Sequence, residues 1–369
     1  MMGVSLQHRA SAHRHVDGLE SERYHFCQDS KLTRNILVIG GTGPTGVPIV
    51  NNFLRAGDDV AIFHSGKHPA EFDGPVERII GDARDAQDVR VKAASREWDV
   101  VVCMYGRLRA QAEVFAGKTR RLVGITGQPV YLDSMPPTPG ARIELPIPEF
   151  APRQYDAHGY QGKVAAGEDQ LFAQHGNGDF ETVVIRYPGV FGPRAPMNHE
   201  WAVVKRIVDS RPFMIMPHDG MAYFQRGYID NLARLTYLAA TRPEAAGQAF
   251  NAGDERVLSA RRVAEIIIEE LNTSMELIGV PAQYCRGVYP LAEKSNQILD
   301  MSKARNLLGY RDVLDVESAT RSTAHYLFEN HPQETDLRTA GHGVFDYANE
   351  ERVVARWREA QTLMGITST

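Results

Sequence analysis

Short continuous apolar runs punctuate the first part of the chain, and polar or glycine-rich stretches separate them. Segments able to form helices lie between the runs; Val47–Ala56, for example, has helical apolar spacing. We interpret five runs as strands: Ile36–Ile39, which reads as buried on both faces, Val60–Phe63, Val76–Ile80, Asp99–Met104 and Pro129–Leu132. The alternation predicts a mostly parallel sheet built from βαβ units.

The later part of the chain has a different rhythm. A helix is expected from about Tyr160 to His175 and a strand from Thr182 to Arg186. Beyond them, helices mix with short strands such as Gln248–Ala252. Residues 347–364 have the spacing of one amphipathic helix, whose apolar face would carry Val353, Val354, Trp357 and Leu363.

The run Gly40-Gly41-Thr42-Gly43-Pro44-Thr45-Gly46 stands between the first predicted strand and the first predicted helix. In such a loop one glycine permits the tight turn, one lets the backbone approach a pyrophosphate, and one lets the helix pack on the strand. Amides at the positive helix N-terminus then hold the phosphates. Two registers fit, Gly41-x-Gly43-x-x-Gly46 and Gly40-x-x-Gly43-x-x-Gly46. We predict dinucleotide contacts from Gly40, Thr42, Gly43, Pro44, Thr45 and Gly46.

These elements predict an α/β protein with a Rossmann-type, doubly wound parallel sheet and a smaller C-terminal substrate lobe. We expect a flexible N-terminal extension over 1–33 and the dinucleotide-binding domain over 34–194. The substrate lobe would span 195–330, interleaved with the last strands of the sheet. Residues 331–369 would form a C-terminal tail with the terminal helix.

Composition narrows the class of protein. Of 369 residues, 43% are hydrophobic and 24% are charged, the balance of an ordinary globular protein. The net charge of -5 gives no reason to expect a nucleic-acid partner, and no apolar run reaches the roughly 20 residues of a membrane span. Cys27, Cys103 and Cys285 form neither a disulfide framework nor a zinc pattern. We expect a cytoplasmic protein without a metal, and a buried Cys103 in its strand.

The end of the second predicted strand should read the adenosine ribose. A carboxylate there would bind the 2′-hydroxyl of NAD, but this chain has His64, Ser65 and Lys67 instead. A hydroxyl beside a lysine suits a 2′-phosphate, so NADP is favoured over NAD; the alternative is a solvated turn that reads nothing. Asp82, after the third predicted strand, is placed to accept a hydrogen bond from the adenine amino group, or else to cap a helix.

At this point the chain resembles the extended and atypical short-chain dehydrogenase/reductase superfamily, the group of NAD(P)-dependent epimerases and dehydratases. The resemblance covers about residues 35–330 and rests on several pieces in the family's order. They are the glycine loop, Gly81-Asp82, Tyr131-Leu132-Asp133-Ser134, Arg186-Tyr187-Pro188-Gly189-Val190-Phe191-Gly192-Pro193-Arg194, Gly227-Tyr228-Ile229-Asp230-Asn231, Phe250-Asn251-Ala252-Gly253 and Asp300-Met301-Ser302-Lys303-Ala304. The stretch Phe63–Lys67 is closer to the atypical branch that includes chloroplast stem-loop RNA-binding proteins.

The resemblance implies a catalytic serine, tyrosine and lysine. Ser134 matches the serine that helps to hold the substrate oxygen, and Lys163 matches the lysine that binds the nicotinamide ribose and lowers the tyrosine pKa. The family's Tyr-x-x-x-Lys spacing is not kept, because Tyr160 stands only three residues before Lys163. An i, i+3 pair still shares a helix face, so Tyr160 is one candidate acid/base. Tyr155 or His158 is a second, and the absence of the usual acid is a third.

Other candidate site residues follow from the same resemblance. Arg194 and Arg226 stand where the family often places groups facing an anionic or polyhydroxylated substrate, although a surface arginine is the ordinary alternative. Tyr105 would lie near the nicotinamide and the substrate, unless it is a core or rim aromatic. Pro188 would shape the loop that passes the nicotinamide.

Three readings of function remain open from the sequence. The first is an NAD(P)-dependent oxidoreductase acting on a small hydroxy or keto compound, including sugar-like ones, and the second is a redox-neutral epimerase or dehydratase that retains its cofactor. The third is a non-catalytic dinucleotide sensor or RNA-associated member of the atypical branch. The acidic balance argues against RNA. Relatives commonly pair two helices from each subunit, so a homodimer is expected.

Overall fold

The computed structural model describes residues 33–104, 107–132, 144–155, 159–195, 199–285, 296–332 and 345–365. The chain divides into two units, Met1–Thr33 and Arg34–Thr369, and every helix and strand given below lies in the second. Within the described ranges, no helix is long and apolar enough to cross a bilayer. The finer domain boundaries at 194 and 330 stay predictions.

The strands that the sequence predicts are present, with one exception, and further short strands accompany them. In chain order they are β1 (Asn35–Ile39), β2 (Asp59–His64), β3 (Glu77–Ile80), β4 (Trp98–Met104), β5 (Thr119–Gly127), β6 (Glu181–Tyr187), β7 (Gly189–Phe191), β8 (Phe213–Pro217), β9 (Arg226–Tyr228), β10 (Gln248–Asn251) and β11 (Glu276–Val280). Seven of them form a parallel sheet in the order β10-β6-β5-β4-β1-β2-β3. The α/β fold with a parallel sheet is confirmed.

Helices connect these strands. They are α1 (Gly46–Ala56), α2 (Ala86–Lys92), α3 (Leu108–Phe115), α4 (Tyr160–Asn177), α5 (Trp201–Val208), α6 (Ile229–Thr241), α7 (Ala260–Glu270), α8 (Ser302–Leu308), α9 (Val316–Glu329) and α10 (Tyr347–Leu363). From β1 the chain runs outward to β2 and β3, then returns to β4 on the other side of β1. Such a switch point opens a crevice at the carboxyl ends of the strands, where α/β proteins bind ligands.

Two apolar layers sandwich the sheet, because successive residues of a strand point to opposite faces. Ile36 of β1 belongs to the layer that contains Phe53 of α1. Leu37, the next residue, belongs to the layer that contains Phe115 of α3. Cys103 lies in the second layer and is fully buried, as predicted. Burial on both faces explains why β1, β2 and β4 read as continuous apolar runs, whereas the edge strand β3 is largely exposed.

The exception is the fifth strand, whose predicted position at Pro129–Leu132 is wrong. Residues 128–130 form one turn of 3-10 helix, and the strand is β5, directly before it. Proline lacks the amide that a central strand must donate to its neighbour. The true strand was hidden by Arg120 and Arg121, which interrupt its apolar pattern. The prediction failed because the buried charge of Arg121 has partners that only the tertiary structure supplies.

The C-terminal part contains two small parallel pairs, β7 with β9 and β8 with β11. The predicted terminal helix is present as α10. Val354 is buried against Ile215 and Ile278, with Trp357 partly buried beside them. Leu363, predicted to share this face, is instead 83% exposed. The face that packs on β8 and β11 therefore ends before the last turn of the helix.

Candidate functional site

The glycine loop between β1 and α1 lies at the carboxyl edge of the sheet, beside the switch point. Gly40 has a φ of 89°, a conformation that favours glycine, and its amide donates to the carbonyl of Phe63 on β2. A Cβ on Gly46 would lie 2.7 Å from the carbonyl carbon of Gly41 and 2.8 Å from the oxygen of Gly40. The turn therefore requires Gly40, and the helix can approach the loop only at Gly46.

Gly43 has a different environment from these two glycines. Its nearest contact for a Cβ is the oxygen of Gly40 at 3.7 Å, which is ordinary van der Waals contact. No acidic residue lies in the first turn of α1, and the cap residue Thr45 makes no side-chain hydrogen bond to that turn. The three glycines of the Gly40-x-x-Gly43-x-x-Gly46 register therefore differ in role: Gly40 makes the turn, Gly43 leaves the loop open, and Gly46 allows the helix to approach. Its open side is the one that a pyrophosphate could approach.

His64 ends β2, the strand next to the glycine loop. The side chain is buried, and Nδ1 accepts a hydrogen bond from the amide of Gly66 at 3.3 Å. Burial, together with the charge of Arg78, lowers the pKa of His64, so the ring is neutral near pH 7 and its proton is assigned to Nε2. Nε2 has no hydrogen-bond partner among the described residues. Ser65 and Lys67, which follow, are exposed.

Asp82 follows β3 and is exposed at the same edge of the sheet. Its Oδ1 accepts a hydrogen bond from the amide of Arg84 at 2.9 Å. The alternative that Asp82 caps a helix is wrong, because the N-cap of α2 is Asp85, whose side chain accepts from the amide of Gln87. The adenine contact stays a prediction.

Helix α4 begins at Tyr160, with Gly159 as its N-cap residue. Tyr160 and Lys163 therefore share the first turn of this helix, and both side chains are exposed. Desolvation of the part of the phenol that faces the protein raises the pKa of Tyr160. That direction is opposite to the one that an acid/base tyrosine with a neighbouring cation requires.

Glu168 and Arg186, to which the sequence assigned no role, form a buried ion pair in the structure. Arg186 on β6 binds both carboxylate oxygens of Glu168 on α4, at 3.1 and 2.7 Å. Thr126, near the end of β5, donates to the same carboxylate at 2.8 Å, and Arg153 donates at 3.0 Å. We call these four residues the Glu168 network. They hold α4, and with it Lys163, against the ends of β5 and β6.

The Glu168 network continues to the segment that leads toward Ser134. The hydroxyl of Tyr131 accepts from Arg186 at 3.0 Å and donates to Asn251 at 2.5 Å. Burial raises the pKa of Tyr131 to about 12, so its hydroxyl keeps its proton. The backbone amide of Asn251 in turn donates to the carboxylate of Glu149 at 2.9 Å. The only sequence signal for this network was the order of the family landmarks.

The two predicted substrate arginines have different surroundings. Arg226 on β9 forms an ion pair with the fully buried Glu200, and its guanidinium carbon lies 4.3 Å from the ring centroid of Phe191. Arg194 is exposed and reaches the glycine loop, where Nη2 donates to the carbonyl of Thr42 at 3.4 Å. The charge of Arg226 is thus balanced within the protein, whereas Arg194 lies beside the loop.

The other candidate site residues differ in burial, and some lie outside the described residues. Pro188 is buried between β6 and β7. Tyr155, the alternative acid, is 55% exposed, and its hydroxyl accepts from Arg153 at 2.5 Å. Tyr105, Ser134 and His158 lie outside the described residues. The structure therefore gathers the glycine loop, Asp82 and the start of α4 at one edge of the sheet, and their roles stay predictions.

Part of the chain, including the start of α4, is similar to a known protein family. Residues 135–253 match the model of the NAD dependent epimerase/dehydratase family. The matched region contains Tyr160, Lys163 and Glu168 of α4, together with Arg194 and Arg226, but it begins after the glycine loop.

A curated protein and solved structures are also similar to this chain, at low identity. "Uncharacterized protein y4nL" of Sinorhizobium fredii is 24% identical over 292 residues, which are 69% of this chain and 81% of that protein. The structure of a UDP-glucose 4-epimerase from Thermotoga maritima with UDP-glucose matches with a TM-score of 0.65 at 17% identity, over 80% of this chain and 99% of that one. A dTDP-glucose 4,6-dehydratase of Bacillus anthracis in complex with NAD matches with a TM-score of 0.63 at 16% identity, over 81% and 98%. At these identities the structural matches show the fold.

Proposed function

We propose that this protein is an NAD(P)-dependent enzyme of the epimerase/dehydratase type, which binds a nicotinamide dinucleotide on its glycine loop and acts on a small hydroxy or keto compound of the sugar type. The reaction would be an oxidoreduction, an epimerisation or a dehydration. The observation that carries the proposal is the loop itself, with Gly40 in a glycine conformation and Gly46 too close to the loop for a Cβ. Because this loop lies at the switch point of the sheet, its open side faces the crevice where such folds bind ligands.

The start of α4 would supply the protein groups for chemistry. Lys163 would bind the nicotinamide ribose, and Tyr160, one turn away, would give or take the proton of the substrate hydroxyl. Ser134 would hold the substrate oxygen. A bound nicotinamide supplies the hydride acceptor or donor. The raised pKa of Tyr160 keeps its phenol protonated, and an approaching cation such as Lys163 would lower it toward the working range.

We propose NADP as the preferred dinucleotide. His64 stands where an NAD-binding chain of this fold has its carboxylate, and a neutral imidazole does not repel a 2′-phosphate. Ser65 and Lys67 are exposed directly after it, so a hydroxyl and an ammonium are available to a phosphate. The family relative with NAD, the dTDP-glucose dehydratase, makes NAD the comparison to test.

A second candidate function is dinucleotide binding without catalysis. The observation that favours it is the Tyr160 and Lys163 pair, whose spacing departs from Tyr-x-x-x-Lys and whose phenol has a raised pKa. Such a protein would bind cofactor with the same loop and sense its concentration or redox state.

Calorimetry with NAD+, NADH, NADP+ and NADPH tests the binding half of the proposal. We expect heat and mutual competition, with the phosphorylated pair tighter. Lys67→Met should remove that preference and leave NAD+ affinity unchanged, because in this proposal the ammonium would contact only the 2′-phosphate. Absence of binding by all four dinucleotides would contradict the proposal.

Turnover tests the catalytic half. Purified protein is mixed with UDP-glucose, UDP-galactose or dTDP-glucose, and sugar products and the absorbance of reduced nicotinamide are followed. Tyr160→Phe should lower kcat by about 10²- to 10⁴-fold, the range for loss of a general acid/base, without changing cofactor affinity. Tyr155→Phe, which removes the neighbouring exposed hydroxyl, is the matched control. Loss in Tyr155→Phe alone would make Tyr155 the acid, and tight cofactor binding without turnover of any sugar nucleotide would favour the second candidate.

A further inference from the structure

The turn after β7 places an arginine where the backbone favours glycine. The amide of Ala195 donates to the carbonyl of Gly192 at 3.1 Å, which closes a four-residue turn around Pro193 and Arg194. In a type II turn, proline is common at the second position and the third position has a positive φ. Arg194 has a φ of 63° there. A bulky side chain in this conformation costs folding free energy that glycine would not.

The strained backbone directs the Arg194 side chain to the glycine loop. Nη2 donates to the carbonyl of Thr42 at 3.4 Å, across 152 positions of sequence. Thr42 stands between Gly41 and Gly43, so the guanidinium reaches the middle of the glycine loop. The side chain is exposed, and a guanidinium has five N–H donors, of which this bond uses one.

We propose that Arg194 binds the pyrophosphate of the dinucleotide, closing over it from the side opposite the helix amides. The inference rests on the proposed function, because it takes the glycine loop as the pyrophosphate site. A guanidinium binds phosphate oxygens through two parallel hydrogen bonds, which an ammonium cannot do. Arg194 is thereby a cofactor residue, where the sequence resemblance places a substrate residue. Arg226 differs, because Glu200 and Phe191 already bind its guanidinium.

Arg194→Gly separates this role from a structural one. Glycine relieves the turn, so the melting temperature should rise or stay the same, while affinity for ADP-ribose should fall about tenfold, as expected for an exposed charged hydrogen bond. Arg194→Lys keeps the positive charge but not the two parallel N–H donors of the guanidinium. Its affinity for ADP-ribose should fall several-fold. Ser210→Gly is the matched control, since Ser210 also has a positive φ of 54° and is exposed. It should gain stability without any change in binding.

Calorimetric titration of each full-length variant with ADP-ribose, at low and high salt, decides the question. The inference is supported if Arg194→Gly binds ADP-ribose more weakly than wild type and if its affinity depends less on salt concentration. Equal ADP-ribose affinity in wild type and Arg194→Gly overturns it, as does a raised KM for a sugar nucleotide with ADP-ribose affinity unchanged. Wild-type protein that binds no ADP-ribose overturns the proposed function as well.

Discussion

Asp254 is a buried carboxyl group whose surroundings shift its pKa. It is 1% exposed; Oδ1 accepts from the amide of Tyr228 at 2.9 Å and from Asn231 at 2.8 Å. Oδ2 has no hydrogen-bond partner within the part of the chain that is described. Burial, with a smaller contribution from the charge of Asp312, raises the pKa of Asp254 to about 7.

This pKa predicts how stability depends on pH. Because the folded pKa is above the unfolded value of about 3.9, the native state keeps a proton that the unfolded state releases. The contribution is complete below about pH 4 and is lost as pH rises through about 7, which corresponds to roughly 4 kcal/mol. Asp254→Asn cannot titrate, so the fall in melting temperature between these pH values should flatten. Asp59→Asn, at an exposed position, should leave the slope unchanged. A slope in Asp254→Asn equal to that of wild type would contradict the assignment.

At the scale of elements, Arg121 joins β5 to the end of α6. Its Nη1 donates to the carbonyls of Ala239, Ala240 and Arg242, at 3.1, 3.1 and 2.7 Å, where a helix has no amides of its own to offer. Nε and Nη2 donate to Glu181. The positive charge also lies at the negative end of the helix dipole. The charge of Arg121 looked incompatible with a buried strand. Its hydrogen bonds instead help to hold α6 against the sheet.

Arg121→Met should lower the free energy of unfolding by about 3 kcal/mol, because it removes the buried guanidinium that donates to the carbonyls at the end of α6 and to Glu181. Arg120→Met is the matched control. Arg120 binds the same Glu181 at 3.3 Å but is 52% exposed, so its removal should cost less than about 1 kcal/mol. Urea unfolding measures the stability of both variants. Equal unfolding midpoints would contradict the stabilising role of Arg121 at the end of α6.

At the scale of the whole molecule, α10 is attached to α5 by a buried ion pair. Glu350 binds Arg206, and both side chains are at most 1% exposed. Arg206 also donates to the carbonyl of Ala202 at 2.6 Å, so its position does not depend on α10 alone. Beside this pair, Val354 packs on the strand pair β8 and β11. The terminal helix thus covers apolar surface that residues 199–285 would otherwise expose.

Glu350→Gln should release α10, since it leaves the Arg206 charge buried without its partner. Breaking a buried pair costs about 3–5 kcal/mol. We expect faster cleavage within α10 in limited proteolysis and a lower melting temperature. Glu351→Gln removes the neighbouring carboxylate, which is 61% exposed and pairs with Arg211, and should leave both readouts unchanged. Equal cleavage rates for the two variants would show that the buried pair does not attach the helix.

The sequence alone determined the parallel α/β sheet, the position of the glycine loop and the start of α4, since these depend on local periodicity and on glycines with strict backbone requirements. It did not determine β5, because the charge of Arg121 is acceptable only beside the end of α6. The Glu168 network and the approach of Arg194 to Thr42 were likewise beyond it. These contacts join residues far apart in the chain, and whether a buried charge is satisfied depends on which partners the fold brings to it.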